Sequence, residues 1–415
     1  MKSANTAIDP IAEQASSRAP RMRWVIALLL FLSTVINYMD RQNLSILART
    51  IQNDLHITDL QYSYVVQAFL LAYTITYIFA GRMTDWLGAR VSMTIFVAWW
   101  SLSDMLTSLS RSAFSLGGFR FLLGIGEPGV YTAAPKAVSE WFPPKERGLI
   151  IGIYTAGATL GATLAPPLVA LAAARFGWRA AFLCTGSLGL IWLIPWLAIY
   201  RTPPSVVQDE IAPVSENPWK EVLRRRETWL LMIGRLITDP VWYFLLFWFP
   251  KYLNDSRHLS LAGTGKIAWI VYLAADIGCL TAGYVSGVMI RRGTKPATSR
   301  MRMMTLSAIL IPISPLIAFA PDATTAVLFA SIVAFAHLCW QTSLSTLLLD
   351  LYPKHLLGTV FGLVAAGSGF GGMVSSNLVG HIVTSWSYTP IFIAMAFLHP
   401  LAWLMLRLFG RRLTP

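Results

Sequence analysis

Apolar runs of about twenty residues alternate along the chain with short polar connectors, the length a helix needs to cross roughly 30 Å of hydrocarbon. The first six runs cover residues 24–47, 62–80, 91–109, 114–137, 149–173 and 180–200. After a longer polar stretch come six more, at 229–249, 267–290, 303–320, 325–349, 360–383 and 391–409. The pattern predicts an all-α membrane protein with twelve transmembrane helices in two six-helix bundles, 24–200 and 229–415, the second ending in a short tail. Residues 1–23 read as a polar N-terminal tail. Residues 201–228 read as a solvated linker, since Pro203-Pro204, Asp209-Glu210, Pro218 and Arg224-Arg225-Arg226 suit neither a spanning helix nor a packed core.

Composition sharpens the class. The 415 residues are 55% hydrophobic and 13% charged with mean hydropathy +0.56, against about 25% charged in soluble domains. A net charge of +13 would suit a nucleic-acid binder, but the 33 Lys and Arg concentrate on alternate connectors. That asymmetry fits cytoplasmic loops and puts both termini in the cytoplasm. Cys184, Cys279 and Cys339 lie inside apolar runs and read as small buried hydrophobes with no disulfide framework. No His or Cys cluster has metal-ligand spacing, so neither a metal nor another cofactor is expected. The N-terminal stretch lacks the short apolar core and small-residue cleavage site of a secretory signal, which leaves the first spanning helix as the targeting element.

Candidate chemistry sits where charge interrupts lipid-compatible sequence. Asp40 and Arg41 fall inside the first run, and Arg120 and Glu127 inside the fourth. A charge near the middle of a spanning helix costs at least about 2.5 kcal/mol on insertion scales, so it marks a protein interior or a watery pathway. Arg120 and Glu127 are seven positions apart, two helical turns, which puts both on one face about 10 Å apart along the axis. Two acids and two guanidiniums are therefore expected to converge on one cavity. Arginine offers a planar, permanently charged fork for a carboxylate, which makes Arg41 and Arg120 binding residues. An acid beside a movable anion can gain or lose its proton as the site fills and empties, which suits Asp40 and Glu127 to proton coupling. Arg235 and Asp239, four apart in the seventh run, can pair with each other or gate. Asp276 has no evident partner in sequence. Tyr73, Tyr77, Trp340 and Gln341 could offer aromatic walls and an amide to a polyhydroxylated solute, while His337 and His381 read as helix-packing groups. Gly157, Gly161 and Ala165 in the fifth run, and Gly367 and Gly371 in the eleventh, recur at the spacing that lets helix backbones approach closely.

The connector after the second run reads Gly81-Arg82-Met83-Thr84-Asp85-Trp86-Leu87-Gly88-Ala89-Arg90 and resembles the G-x-x-x-D-x-x-G-x-R loop of the major facilitator superfamily. That resemblance implies gating roles for Gly81, Asp85, Gly88 and Arg90. A fainter copy, Gly283-Tyr284-Val285-Ser286-Gly287 through Arg291-Arg292-Gly293, lacks the acid, so a weaker gate is expected there. Within the superfamily, the stretch from Asn37 to Ser45, the run from Arg120 through Glu127-Pro128 to Glu140-Trp141-Phe142-Pro143-Pro144-Lys145-Glu146-Arg147, and Gly177-Trp178-Arg179-Ala180-Ala181-Phe182 resemble the anion:cation symporters, especially bacterial hexuronate and galactonate carriers. Ala158, Thr342, Ser345 and Gly362 stand where galactonate carriers place Gln, Ser, Trp and Asn, whereas Gly234 to Pro240, Ala275 to Leu280 and Ala336-His337 are more similar to hexuronate carriers.

The resemblance implies two bundles rocking around a midplane site in a bacterial inner membrane, with proton-coupled uptake of a monovalent sugar acid by a monomer. Tyr38, Arg41, Tyr73 and Arg120 match substrate-contacting positions and Asp40 and Glu127 proton-coupling ones. The implied partners are a small carboxylate, protons and the bilayer, with no nucleic acid. An exchanger of organic anions or organophosphates, built on Arg41 and Arg235, and a symporter of another small carboxylate stay open at this stage. An intramembrane enzyme is not expected, because neither H-E-x-x-H nor G-x-S-x-G occurs.

Overall fold

The computed structural model describes residues 10–202, 217–259 and 267–410. Residues 1–9 of the expected tail, Pro203-Pro204 and Asp209-Glu210 of the linker, and the terminal 411–415 lie outside the described residues. Among the described residues the structure is helical and carries no strand. The helices are α1 (Pro10–Ile46), α2 (Ala48–Leu55), α3 (Asp59–Thr107), α4 (Ala113–Gly126), α5 (Gly129–Trp141), α6 (Pro144–Phe176), α7 (Trp178–Ile199), α8 (Pro218–Arg224) and α9 (Arg226–Phe247). They continue as α10 (Phe249–Asp255), α11 (Trp269–Arg291), α12 (Pro296–Leu310), α13 (Leu316–Phe319), α14 (Ala323–Leu351), α15 (Leu357–Ser385) and α16 (Thr389–Phe409).

Ten of these helical stretches are long and apolar enough to cross a membrane. They account for the twelve expected crossings once two are seen to share α3 and one to be divided. In α3 the chain doubles back at Gly88, whose φ of 75° lies in the left-handed region that glycine adopts without steric cost. Phe69 before that point and Trp100 after it both pack on α4, at Gly124 and Gly126 respectively. The fourth crossing is split at Glu127-Pro128, between α4 and α5. A proline there cannot donate the hydrogen bond that would continue α4. Local signals start the helices where the sequence changes character. Thr58 and Gln61 form a capping box at α3, Ser112 and Ser115 one at α4, and Asp322 caps α14.

Hydrocarbon is as apolar as leucine, so helix association in a bilayer depends on close packing. The small-residue spacings are used that way: Gly157 and Gly161 of α6 lie on the backbone of Phe31 and Val35 in α1, and Gly367 and Gly371 of α15 on Met232 and Leu236 in α9. These are contacts within each half. The halves meet through α3 with α15 and α6 with α11. At the end of the molecule that carries the 201–228 connector, here the linker end, both pairs approach to backbone contact. Gly81 faces Gly358 and Gly148 faces Gly283; a Cβ at Gly81, Gly358 or Gly283 would collide with the opposing carbonyl, and one at Gly148 would press on the Arg300 guanidinium and the Gly283 backbone.

Candidate functional site

Arg41 sits in the last turns of α1, inside the first span. Its guanidinium lies 4.8 Å from the Tyr38 ring centre, 4.7 Å from Tyr73 and 5.7 Å from Phe69, an arrangement that stabilises a cation on aromatic faces. Nε donates to Glu127 Oε2 at 2.7 Å, and Nη2 lies 2.6 Å from the same oxygen. Among the described residues Oε1 of Glu127 has no hydrogen-bond partner. The pairing therefore uses one carboxylate oxygen, not the two of a fork-to-fork pair. The side chain of Arg41 is 24% exposed while that of Glu127 is fully buried, so the arginine is the member that a solute can reach.

An aromatic wall continues from Arg41 toward the second half. Tyr73 and Tyr77 share a 2.8 Å hydroxyl contact, with rings 4.8 Å apart and nearly perpendicular, and Tyr131 of α5 lies 6.4 Å beyond Tyr77. Ala365 of α15 packs into this group, and Tyr77 is an electrostatic neighbour of Arg235 in α9. Arg235 is held by Asp239, Nε to Oδ2 at 2.9 Å, which is the internal pair that the four-residue spacing allowed.

Arg120 departs from expectation. It is 1% exposed, and Nη2 lies 3.3 Å from Asp104 Oδ1 while Nη1 donates to the main-chain carbonyl of Asp40 at 3.4 Å. Phe182 covers the guanidinium at 4.9 Å. Arg120 and Glu127 do not share a partner: the break after α4 turns Glu127 to Arg41, and Arg120 is left inside the helix packing with an acid from α3. Asp104 Oδ2 also accepts from Asn43 Nδ2 at 3.0 Å and Thr185 Oγ1 at 2.9 Å. Asp104 is thus a site residue that the sequence reading passed over, although a lone acid inside the 91–109 run carries the same signal that singled out Asp40. Asp40 is fully buried, with no hydrogen-bond partner on either carboxylate oxygen among the described residues.

Two further expectations need correction. Trp340 has no exposed surface and meets His399 edge-on at 5.3 Å; tight packing, not a solute wall, is its environment. Gln341 beside it is part-exposed. His337 packs as expected, stacked on Trp242, but also contacts His399 through Nδ1 and Nε2 at 3.2 Å. Arg90, expected at the gate by resemblance, instead donates through Nη2 to Leu197 O of α7 at 2.7 Å, a tie within the first half. Asp276 neighbours Thr159 of α6 across the halves.

The linker end is closed by charge on helix termini as well as by the glycine contacts. Asp85 accepts from the backbone N–H of Gly358 at 2.7 Å and of Thr359 at 2.6 Å, in the first turn of α15. Such a terminus presents free N–H groups and favours an anion. Lys136 Nζ lies 3.8 Å from the same carboxylate. On the other side, the acid missing from the faint second loop comes from Asp350 of α14. It faces Arg147 at 3.7 Å and Arg300 at 3.1 Å, while Arg300 Nη2 donates to Pro144 O at 2.8 Å. The contact between α6 and α11 is therefore flanked by charge as the one between α3 and α15 is.

The sequence profile of the Major Facilitator Superfamily matches residues 30–376. The hexuronate transporter of Escherichia coli strain K12 is 29% identical over 392 residues, covering 90% of this chain and 91% of that one. The galacturonate transporter of Dickeya chrysanthemi is 32% identical over 308 residues, covering 70% and 89%. A crystal structure of the transporter FucP in the outward conformation superposes with a TM-score of 0.74 at 12% identity, over 92% of this chain and 98% of that one, a likeness of fold.

Proposed function

The chain belongs to the Major Facilitator Superfamily, a family of transporters and not of enzymes, and from that premise we propose that it takes up a monovalent hexuronate together with protons by alternating access. The observation that carries the reading is Arg41: a part-exposed guanidinium in an aromatic cage, inside a membrane span, held by one oxygen of a buried acid. An entering carboxylate can take the guanidinium fork and displace Glu127, whose charge then has no counter-ion and is balanced by a proton. Tyr38, Tyr73 and Gln341 are the groups assigned to the sugar, and Asp40 and Glu127 to protons. Relatives named for hexuronate and galacturonate support the solute class.

The halves 24–200 and 229–415 are taken as the two rocking bodies, with 201–228 joining them. Placing the basic connectors and both termini in the cytoplasm of a bacterial inner membrane makes the sealed linker end the inner one. A working monomer suffices, because the proposed site draws on both halves of one chain. A potential of 100 mV, negative inside, opposes an entering monoanion by about 2.3 kcal/mol, so one proton cancels the voltage and a second makes uptake voltage-driven. The exchanger alternative, with Arg41 and Arg235 as twin anion sites, is less well supported because Arg235 already carries Asp239.

The test is a proteoliposome screen of galacturonate, glucuronate, galactonate, dicarboxylates and sugar phosphates, with and without an inward proton gradient. Uronates should accumulate above the outside concentration only with the gradient. Exchange of an organic anion for inorganic phosphate, indifferent to pH, would replace this reading.

A further inference from the structure

Three acids and two arginines share the buried centre of the first half. Each arginine is taken at salt-bridge distance, Arg41 by Glu127 and Arg120 by Asp104. Asp40 is the acid left over. Its neighbours are Asp104, Glu127, Thr185 and Arg120, yet Arg120 reaches only its main-chain carbonyl. Thr185, beside both aspartates, meets hydrogen-bond geometry with Asp104 and not with Asp40. Four segments of the first half converge on Asp104: its own part of α3, Asn43 from α1, Arg120 from α4 and Thr185 from α7. Tyr62, at the start of α3, is the remaining titratable neighbour of Arg120.

We propose that Asp104 is a positioning residue for proton coupling: by clamping Arg120 with the help of Asn43 and Thr185, it withholds the guanidinium from the Asp40 carboxylate and so reserves Asp40 for a transported proton. A buried charge is tolerated only with a partner. In this cluster the partner of Asp40 is not a side chain, which leaves a proton to balance it. The proton enters with the solute from one side and leaves from the other, and Arg120 never needs to touch the solute. Removing the Asp104 charge frees Arg120, whose Nη1 is already 3.4 Å from the Asp40 carbonyl, to bind the Asp40 side chain instead. Asp40 then has a permanent counter-ion and drops out of the proton count.

This inference rests on the symport reading above, and the experiment separates the two. Proton and galacturonate fluxes are measured together in proteoliposomes, together with counterflow and the pH profile of driven uptake. Asp104→Asn should still show counterflow but move one proton fewer per solute than the parent, as Asp40→Asn should, while Asp104→Glu restores the parent ratio. Thr185→Val keeps the charge and loosens the clamp, and should displace the pH profile of driven uptake with the counterflow KM within about twofold of the parent. An Asp104→Asn protein that exchanges solute and keeps the parent ratio and pH profile overturns the proposal. If that variant fails to fold, a Thr185→Val profile identical to the parent overturns it instead. A parent that moves solute without protons overturns the symport reading and this inference together.

Discussion

Arg41→Lys, compared with Arg120→Lys, tests which guanidinium meets the solute. The lysine keeps the charge at position 41 but loses the planar fork and its stacking between Tyr38 and Tyr73, at 4.8 and 4.7 Å. One charge-assisted hydrogen bond is worth about 1.5–3 kcal/mol and an accessible cation–aromatic contact about 0.5–1 kcal/mol. An ammonium keeps part of each, so a net loss of about 2–3 kcal/mol is expected, or roughly 30- to 150-fold in affinity. Arg120 is enclosed by Asp104, Phe182 and the Asp40 carbonyl, so its replacement should act on folding and coupling first. Its effect on binding in counterflow should stay within about fivefold. The assay is galacturonate counterflow in proteoliposomes, with tryptophan-fluorescence melting of the purified variants as the stability control. Near-parental affinity for Arg41→Lys, combined with loss of binding for a well-folded Arg120→Lys, would refute this placement of the anion anchor.

Other outcomes follow from particular contacts. Glu127→Gln fixes a neutral partner for Arg41 and should move one proton fewer per solute, lowering gradient-driven accumulation while preserving counterflow, measured in the same vesicles. Asp85→Asn removes a charge from the N-terminus of α15 and should shift the balance toward a linker-end-open state by about 2 kcal/mol, near 30-fold. Spin-label distances across Arg82 and Lys354 would read that shift, and an unchanged distribution would dismiss the gate. Gly358→Val should go further, since its side chain cannot fit against the Gly81 carbonyl; faster modification of a cysteine placed at the linker end is the readout. At the opposite end, hydrogen bonds from Arg179 and Trp178 hold the Asp54 carboxyl below its ordinary value near 3.8. A folded-state value that is depressed stabilises the docking of α2 above the ordinary carboxylate range and loses that contribution as pH falls through the lowered value. Hydrogen exchange at residues 48–56 should therefore stay slow to below pH 4 and then rise, and Asp54→Asn should remove that step.

Crossing number and the family were legible in the chain because they depend on local quantities: run length, hydropathy and the G-x-x-x-D-x-x-G-x-R spacing of Gly81 to Arg90. So was the presence of intramembrane charge at Asp40, Arg41, Arg120 and Glu127, since charge in hydrocarbon is conspicuous wherever it occurs. Even the Arg235–Asp239 pair could be read, because four residues on one helix fix their own distance. Which acid holds which arginine could not. That choice depends on the reversal of α3 at Gly88, which returns Asp104 to the side of Arg120, and on the break at Pro128, which turns Glu127 to Arg41. The same applies to Asp350, which serves a loop some sixty residues before it, and to Trp340, which is buried against residues from other helices, His399 of α16 among them. Sequence spacing sets geometry only within one unbroken helix; between helices, ångström-scale distances decide partner choice, and those distances exist only after the backbones have packed through their glycines.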